Sequence, residues 1–168
     1  LAVSWFFYYK TSGLFLLILV FITLSDWLIA ERIHNAKIEK RETRAKWWLT
    51  LSVVIDLGLL CYFKYAYFFT NVVNDLLGTE FMVFDIFAYI GNGLSASGRF
   101  MVDSIILPVG ISFYLFQVMS YTIDVYRGQV KPVKSILDFG FYVSFFPSLV
   151  AGPIVRANEF IPQLYRPF

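Results

Sequence analysis

The segment from Leu14 to Ala30, LFLLILVFITLSDWLIA, contains one charge in seventeen residues. As a helix at 1.5 Å per residue it is about 26 Å long, enough to cross the hydrocarbon core of a bilayer with little tilt. A soluble chain of this size carries roughly 25% charged residues, because its surface must be polar. Here the charged fraction is 15% and the hydrophobic fraction 58%. The 19 Phe suit a lipid-facing surface, and the 11 Tyr and 4 Trp suit the headgroup boundary. The formal net charge is only +2, and no basic run alternates with exposed aromatics, so no nucleic-acid partner is expected. The one cysteine, Cys61, lies in an apolar run; it can form no intrachain disulfide and is expected to be a buried, inert thiol.

These features predict an all-α fold, a polytopic transmembrane helical bundle. Residues 1–168 read as a single transmembrane domain, incomplete at both ends. The expected spans are 1–9 (partial), 14–30, 47–69, 105–126 and 135–151. Between them lie a basic loop, 31–46, with six Lys/Arg against three Glu, and a loop, 70–104, with one Arg against four acids. By the positive-inside rule, loop 31–46 and the basic turn 127–134 are cytoplasmic and loop 70–104 is extracytoplasmic. Pro147 interrupts the last apolar stretch. Freed backbone groups at membrane depth need protein or a wet cavity around them, which predicts a broken or re-entrant helix there. Phe81 to Ile90, flanked by glycines, reads as a short interfacial helix.

The 105–126 span carries the main chemical pattern. Gly110, Tyr114, Gln117, Tyr121, Asp124 and Gly128 follow one another at spacings of 4, 3, 4, 3 and 4. On a helix they fall within roughly 80° of arc, opposite a face of Phe113, Leu115, Phe116 and Val118. Such a polar face either packs as an interhelical seam or lines a cavity or substrate path. Three further ionisable residues fall inside apolar runs: Asp26, Asp56 and Lys64. Lys64 can snorkel outward and Asp26 can meet the basic loop, whereas Asp56, near the middle of its span, most needs a partner. The one histidine, His34, sits among charges in the basic loop, where nothing desolvates it, so it reads as a solvated side chain. Neither a Ser-His-Asp nor a Cys-His set, nor a phosphate-binding glycine loop, nor metal-ligand spacing is present. Residues alone therefore leave an enzyme and a transporter both open.

Two long runs narrow the choice. ILPVGISFYLFQVMSYTIDVYRGQ (Ile105 to Gln129) and DFGFYVSFFPSLVAGPIVRANEFIPQL (Asp138 to Leu164) closely resemble signatures of the membrane-bound O-acyltransferase family, in its bacterial alginate O-acetyltransferase-like branch. GLLCYFKYAYFF (Gly58 to Phe69) matches the same branch, and the opening helices match more loosely. The resemblance implies transfer of an acyl group, acetyl above all, to hydroxyls of an extracytoplasmic polysaccharide such as alginate or another cell-envelope polymer. It implies a multi-pass protein of the bacterial cytoplasmic (inner) membrane. The acyl donor, acetyl-CoA or another activated carrier, would be a substrate, with no bound cofactor and no metal. Expected partners are the lipid bilayer, the polysaccharide acceptor and partner acyltransferase or export subunits. The family's presumed general base is a histidine in a later membrane helix. No histidine here matches it, so no catalytic residue carries over, the base is expected beyond Phe168, and this stretch is expected to be inactive alone. Tyr114, Gln117, Tyr121, Asp124, Arg127, Pro153 and Arg156 carry over as acyl-path or positioning candidates. Two departures from the branch stand out: a longer loop between Leu77 and Ile105, and a charge, Asp56, where an uncharged polar residue is expected. A transporter or flippase subunit, and a noncatalytic scaffold in a polymer export complex, are the alternatives.

Overall fold

The computed structural model describes residues 2–12, 15–83, 85–86, 89, 105, 108, 110–145 and 157–164, and among these it is all-α. The helices are α1 (Ala2–Ser12), α2 (Leu16–Ile38), α3 (Glu42–Leu60), α4 (Ala66–Leu77), α5 (Ile111–Tyr126), α6 (Ile136–Val143) and α7 (Ala157–Leu164). A π-helical turn, Cys61–Tyr65, joins α3 to α4. The chain divides into two compact units, one of Leu1–Leu57 with Val109–Phe168 and one of Gly58–Pro108.

In the first unit α2 is the spine. It packs most extensively on α5 and also against α1 and α6, while α7 packs on α5 and α6. The inward face of α2 repeats at helical spacing through Ile22, Asp26, Ile29, Ile33 and Ala36, all buried. Its outward face is apolar as well: Leu17, Phe21, Leu24 and Leu28 are exposed. The same inversion holds in α5, where Phe113 and Phe116 face out while Gln117, Thr122 and Asp124 are buried. Water-soluble helices do the reverse. An apolar exterior around a partly polar interior is the arrangement that hydrocarbon solvent selects, because lipid cannot satisfy a polar group and gains nothing from excluding an apolar one. Among the described residues, the run Glu42–Leu77 is long and apolar enough to cross a membrane, and most of its apolar stretch lies on the surface. The chain is thus an all-α membrane fold.

Helix ends are set by specific turns. α5 begins after Gly110 (φ 74°) and closes in a Schellman turn, with Gly128 N–H donating to Val125 O and Gln129 N–H to Asp124 O. α2 closes in the same way: Lys40 N–H donates to Lys37 O at 3.1 Å and Arg41 N–H to Ala36 O at 2.9 Å. Here the left-handed position is held by Lys40 (φ 55°) instead of a glycine. α6 starts at Ser135, whose hydroxyl accepts from Asp138 N–H. The aromatic ring of Phe160 on α7 docks against Phe141, Tyr142 and Phe145, with centroids 6.0, 5.5 and 5.2 Å away.

Several expectations change. The stretch 31–46 is a three-residue turn, Glu39–Arg41, and not a long loop, because apolar Ile33, Ala36 and Ala45 keep their helical register between charged residues that are themselves good helix formers. Residues 70–77, assigned to the outer loop, complete α4, which stops at left-handed Gly78. Among the described residues of the span expected over 105–126, the helix begins at Ile111, after the left-handed Gly110. The span expected over 135–151 is helical from Ile136 to Val143, and Pro147 lies outside the described residues. Of the expected interfacial helix Phe81 to Ile90, Phe81, Met82 and Val83 are not helical, Ile86 and Tyr89 are, with Tyr89 N–H donating to Asp85 O at 3.0 Å, and the other positions after Asp85, with Phe84, lie outside the described residues. Cys61 is exposed, because it opens the π-turn on an outward face.

In the second unit, α4 has no buried residue. Polar side chains of α4 and of the π-turn instead hold the chain that follows. Asn74 Oδ1 accepts from Phe81 N–H at 2.9 Å and its Nδ2 donates to Phe81 O at 3.0 Å. Tyr62 Oη accepts from Ile86 N–H at 2.8 Å, and Tyr67 Oη from Ile105 N–H at 2.7 Å.

A left-handed conformation costs a non-glycine residue about 1 kcal/mol. Lys40→Gly is therefore expected to raise the thermal midpoint of the detergent-solubilised full-length protein, and β-branched Lys40→Val to lower it. Equal midpoints for the three proteins would show that Lys40 is not held left-handed in solution.

Candidate functional site

The polar face of α5 is buried against α1, α2 and α6. Tyr114 is fully buried, with its hydroxyl beside that of Tyr8 on α1 and the two rings edge-to-face at 6.4 Å. One turn on, Gln117 Nε2 donates to the Tyr142 carbonyl of α6 at 2.8 Å. Another turn on, Tyr121 Oη accepts from Val133 N–H at 2.9 Å, and Trp27 Nε1 on α2 donates to Val133 O at 2.7 Å. These two bonds satisfy both the backbone donor and the backbone acceptor of Val133, so the segment after α5 is fixed at the place where it turns back. Tyr121 also stacks on Phe139 at 4.6 Å, which continues to Tyr142 at 6.1 Å. Asp124 is buried near Tyr142, and its carbonyl anchors the Schellman turn.

A second polar group lies between α2, α3 and α5. Ser52 Oγ donates to Asp26 Oδ1 and lies 3.2 Å from Thr122 Oγ1, which donates to Met119 O at 3.0 Å. Asp56, one turn from Ser52 on α3, is within hydrogen-bonding reach of Asp26. Both carboxyls are 1% exposed. The expectation that Asp26 meets the basic turn is thereby corrected: its position on the inward face of α2, in register with Ile22 and Ile29, turns it toward α3. Lys64 is exposed in the π-turn, 5.6 Å from the Tyr65 ring.

The basic end of the bundle is tied together by Lys37. Its Nζ donates to Glu42 at 3.0 and 3.1 Å and sits 4.4 Å from the centroid of the Tyr126 ring, so that one cation joins α2, α3 and α5. Arg32 stacks on Trp48 at 5.8 Å. An open groove over the turn is lined by Lys40, Arg41, Arg44 and Trp47, the last 72% exposed. Among the described residues no group of three His, Cys, Asp or Glu side chains is placed to hold a metal.

The structure thus brings Tyr114, Gln117, Tyr121 and Asp124 together on one buried face, leaves Arg127 exposed at the end of α5, and pairs Asp26 with Asp56. Pro153 and Arg156 lie outside the described residues. Sequence reasoning missed Ser52, Thr122, Tyr8 and Tyr142. Ser52 carried a signal, since Ser52 and Asp56 stand at i and i+4 on one helix face, inside an otherwise apolar run. Thr122 and Tyr142 carried none, because their role depends on which helices become neighbours.

Comparison with known proteins agrees with the motifs. No family model matches the chain, and no solved structure matches it. Among curated proteins, the chain is 38% identical over 163 residues to a protein of Azotobacter vinelandii named "Probable alginate O-acetylase", a match covering 97% of this chain and 29% of the relative. It is 37% identical over 163 residues to the protein of the same name from Pseudomonas aeruginosa, covering 97% of this chain and 28% of the relative. A "Peptidoglycan O-acetyltransferase" of Helicobacter pylori is 27% identical over 184 residues, covering 95% of this chain and 31% of the relative. The chain spans about three tenths of the length of these relatives. Over nearly its whole length, then, the chain is a homologue of the bacterial alginate O-acetylases, which bears out the membrane-bound O-acyltransferase resemblance of its two long motifs.

Proposed function

We propose that the full-length protein is a membrane O-acyltransferase. It moves an acyl group, acetyl first among them, from an activated carrier on the cytoplasmic side to hydroxyls of an extracytoplasmic polysaccharide. The observation that carries this reading is the match over 97% of the chain to proteins named for acetyl transfer to oxygen. The relatives are named for two different polymers, alginate and peptidoglycan, which supports a cell-envelope polysaccharide as the acceptor class.

The chemistry assigns this stretch a supporting part. A sugar hydroxyl attacks an acyl carbonyl only when a positioned base takes its proton, and in this reading the base is a histidine outside these residues. Tyr114, Gln117, Tyr121 and Asp124 hold α5 in register with α1, α2 and α6, and so hold the wall along which donor and acceptor meet. Acyl transfer tolerates little misplacement of its reacting groups, which makes such positioning residues matter at a distance. The bilayer surrounds the bundle, the Glu39–Arg41 turn and the 127–134 turn face the cytoplasm, and the part of loop 70–104 that follows α4 faces outward.

Deleting the gene is expected to abolish the acetyl esters of one envelope polysaccharide, with recovery from the full-length gene. Unchanged ester content in every envelope polymer, together with loss of a solute uptake, would favour the transporter instead. In a Cys61→Ser background, Glu80→Cys is expected to react with a membrane-impermeant maleimide in intact spheroplasts, and Lys40→Cys only after lysis. The reverse pattern would invert the topology. Gln117→Leu leaves the buried Tyr142 carbonyl without its donor, at a cost of about 1–3 kcal/mol. It is expected to lower both the thermal midpoint and acyl transfer; full activity at an unchanged midpoint would remove Gln117 from the seam.

A further inference from the structure

Asp26 and Asp56 are a buried pair whose chemistry the acyl-transfer reading does not use. Both side chains are 1% exposed, on neighbouring helices, and within hydrogen-bonding reach of one another. Ser52 supplies the one donor described for the pair, to Asp26 Oδ1. Asp26 Oδ2 and both oxygens of Asp56 have no hydrogen-bond donor among the described residues. Neither carboxyl takes part in an ion pair among the described residues, whose ion pairs all lie at the α2–α3 turn. The ionisable group that faces them from α5 is Tyr121, and the other facing groups are the hydroxyls of Ser52 and Thr122.

Two adjacent carboxylates in such a place cannot both be ionised. Burying one unpaired charge costs several kcal/mol, and the second adds repulsion to that. Lysine, arginine and a metal cluster are absent from the surroundings described above. A single proton resolves the conflict: it removes one charge and turns a repelling pair of acceptors into one donor and one acceptor. We propose that Asp26 and Asp56 are a proton-binding pair, which holds one shared proton and thereby clamps α2 to α3 beside the polar face of α5. The ligand is H⁺: one carboxylate oxygen takes it from hydronium to form an O–H bond, and release returns it to water. The site is independent of the acyl-transfer reading, because it depends only on the packing of α2, α3 and α5.

The sign of its effect follows from linkage. The folded pair holds a proton that two separated, solvated aspartates have lost at neutral pH. Stability is therefore full only below the pKa of a free aspartate, about 4, and it falls with rising pH for as long as the folded pair keeps a proton that the unfolded chain has lost. Asp56→Asn mimics the protonated partner at every pH, since its amide donates to Asp26 without titrating.

The test uses the full-length protein in nanodiscs, with thermal midpoints measured from about pH 6 to about pH 10. The wild-type midpoint is expected to fall as pH rises, and the Asp56→Asn midpoint to fall less. A second reading is infrared difference spectroscopy on the wild type, where a protonated-carboxyl carbonyl band should be present at neutral pH and lost in Asp56→Asn. Replacing Na⁺ by choline should move neither result. Identical pH profiles for wild type and Asp56→Asn would overturn the proposal. So would the absence of the carboxyl band from the wild type, a reading that needs no variant to fold. A wild-type midpoint raised by Na⁺, with the rise abolished in both Asp26→Asn and Asp56→Asn, would overturn it in favour of a sodium site.

Discussion

The contact between α2 and α5 is the one on which the rest of the first unit depends. In water the pair would be held by hiding apolar faces. Here the faces turned away from the contact are as apolar as those within it: Phe21 and Leu28 on α2, Phe113 and Phe116 on α5. Hiding apolar surface from lipid gains little, so the contact must rest on close packing and on polar groups that lipid cannot satisfy. The seam supplies both. Trp27 and Tyr121 grip the Val133 peptide from two helices, Ser52 joins the hydroxyl of Thr122 to the carboxyl of Asp26, and Lys37 closes the basic end. Individual interhelical bonds of this kind contribute about 0.6–2 kcal/mol in membranes. Their distribution along the length of the contact is what fixes the rotation of each helix.

Much of this could be read in the sequence, because hydrocarbon solvent leaves a compositional imprint. The apolar runs around Leu14–Ala30 and Trp47–Phe69 predicted helices that are present, and the 4-3-4-3-4 spacing on the 105–126 span placed four polar residues on a face that proves buried. Helix ends were harder. The charges of 31–46 suggested a loop, yet Arg, Glu and Lys are good helix formers and apolar residues kept the period, so two helices run almost into each other. The sharpness of the α2–α3 turn depends on a left-handed lysine, which no sequence rule anticipates.

The partners of the buried acids were beyond sequence reasoning for a related reason. Asp26 and Asp56 lie thirty residues apart, and whether their helix faces meet depends on the length and hand of the turn between them. One residue more in that turn would rotate α3 by about 100° and part the two carboxyls. The Tyr121–Val133 bond was hidden in the same way, since a tyrosine on a polar stripe reads equally as a path-lining hydroxyl or as an acceptor for a returning peptide. Its position on α5 could be read, but its partner could not.

The apolar outer faces of α2 and α5 also bear on how this fold responds to temperature. The stability curve of a soluble domain bends because unfolding moves apolar surface from a dry interior into water, with a large change in heat capacity. Parting α2 from α5 within a bilayer moves their side chains from protein to hydrocarbon and exposes little to water. The curvature that weakens soluble proteins in the cold should be largely missing from this contact. Cooling leaves its hydrogen bonds and packing intact, and what changes with temperature is mainly the order of the surrounding lipid.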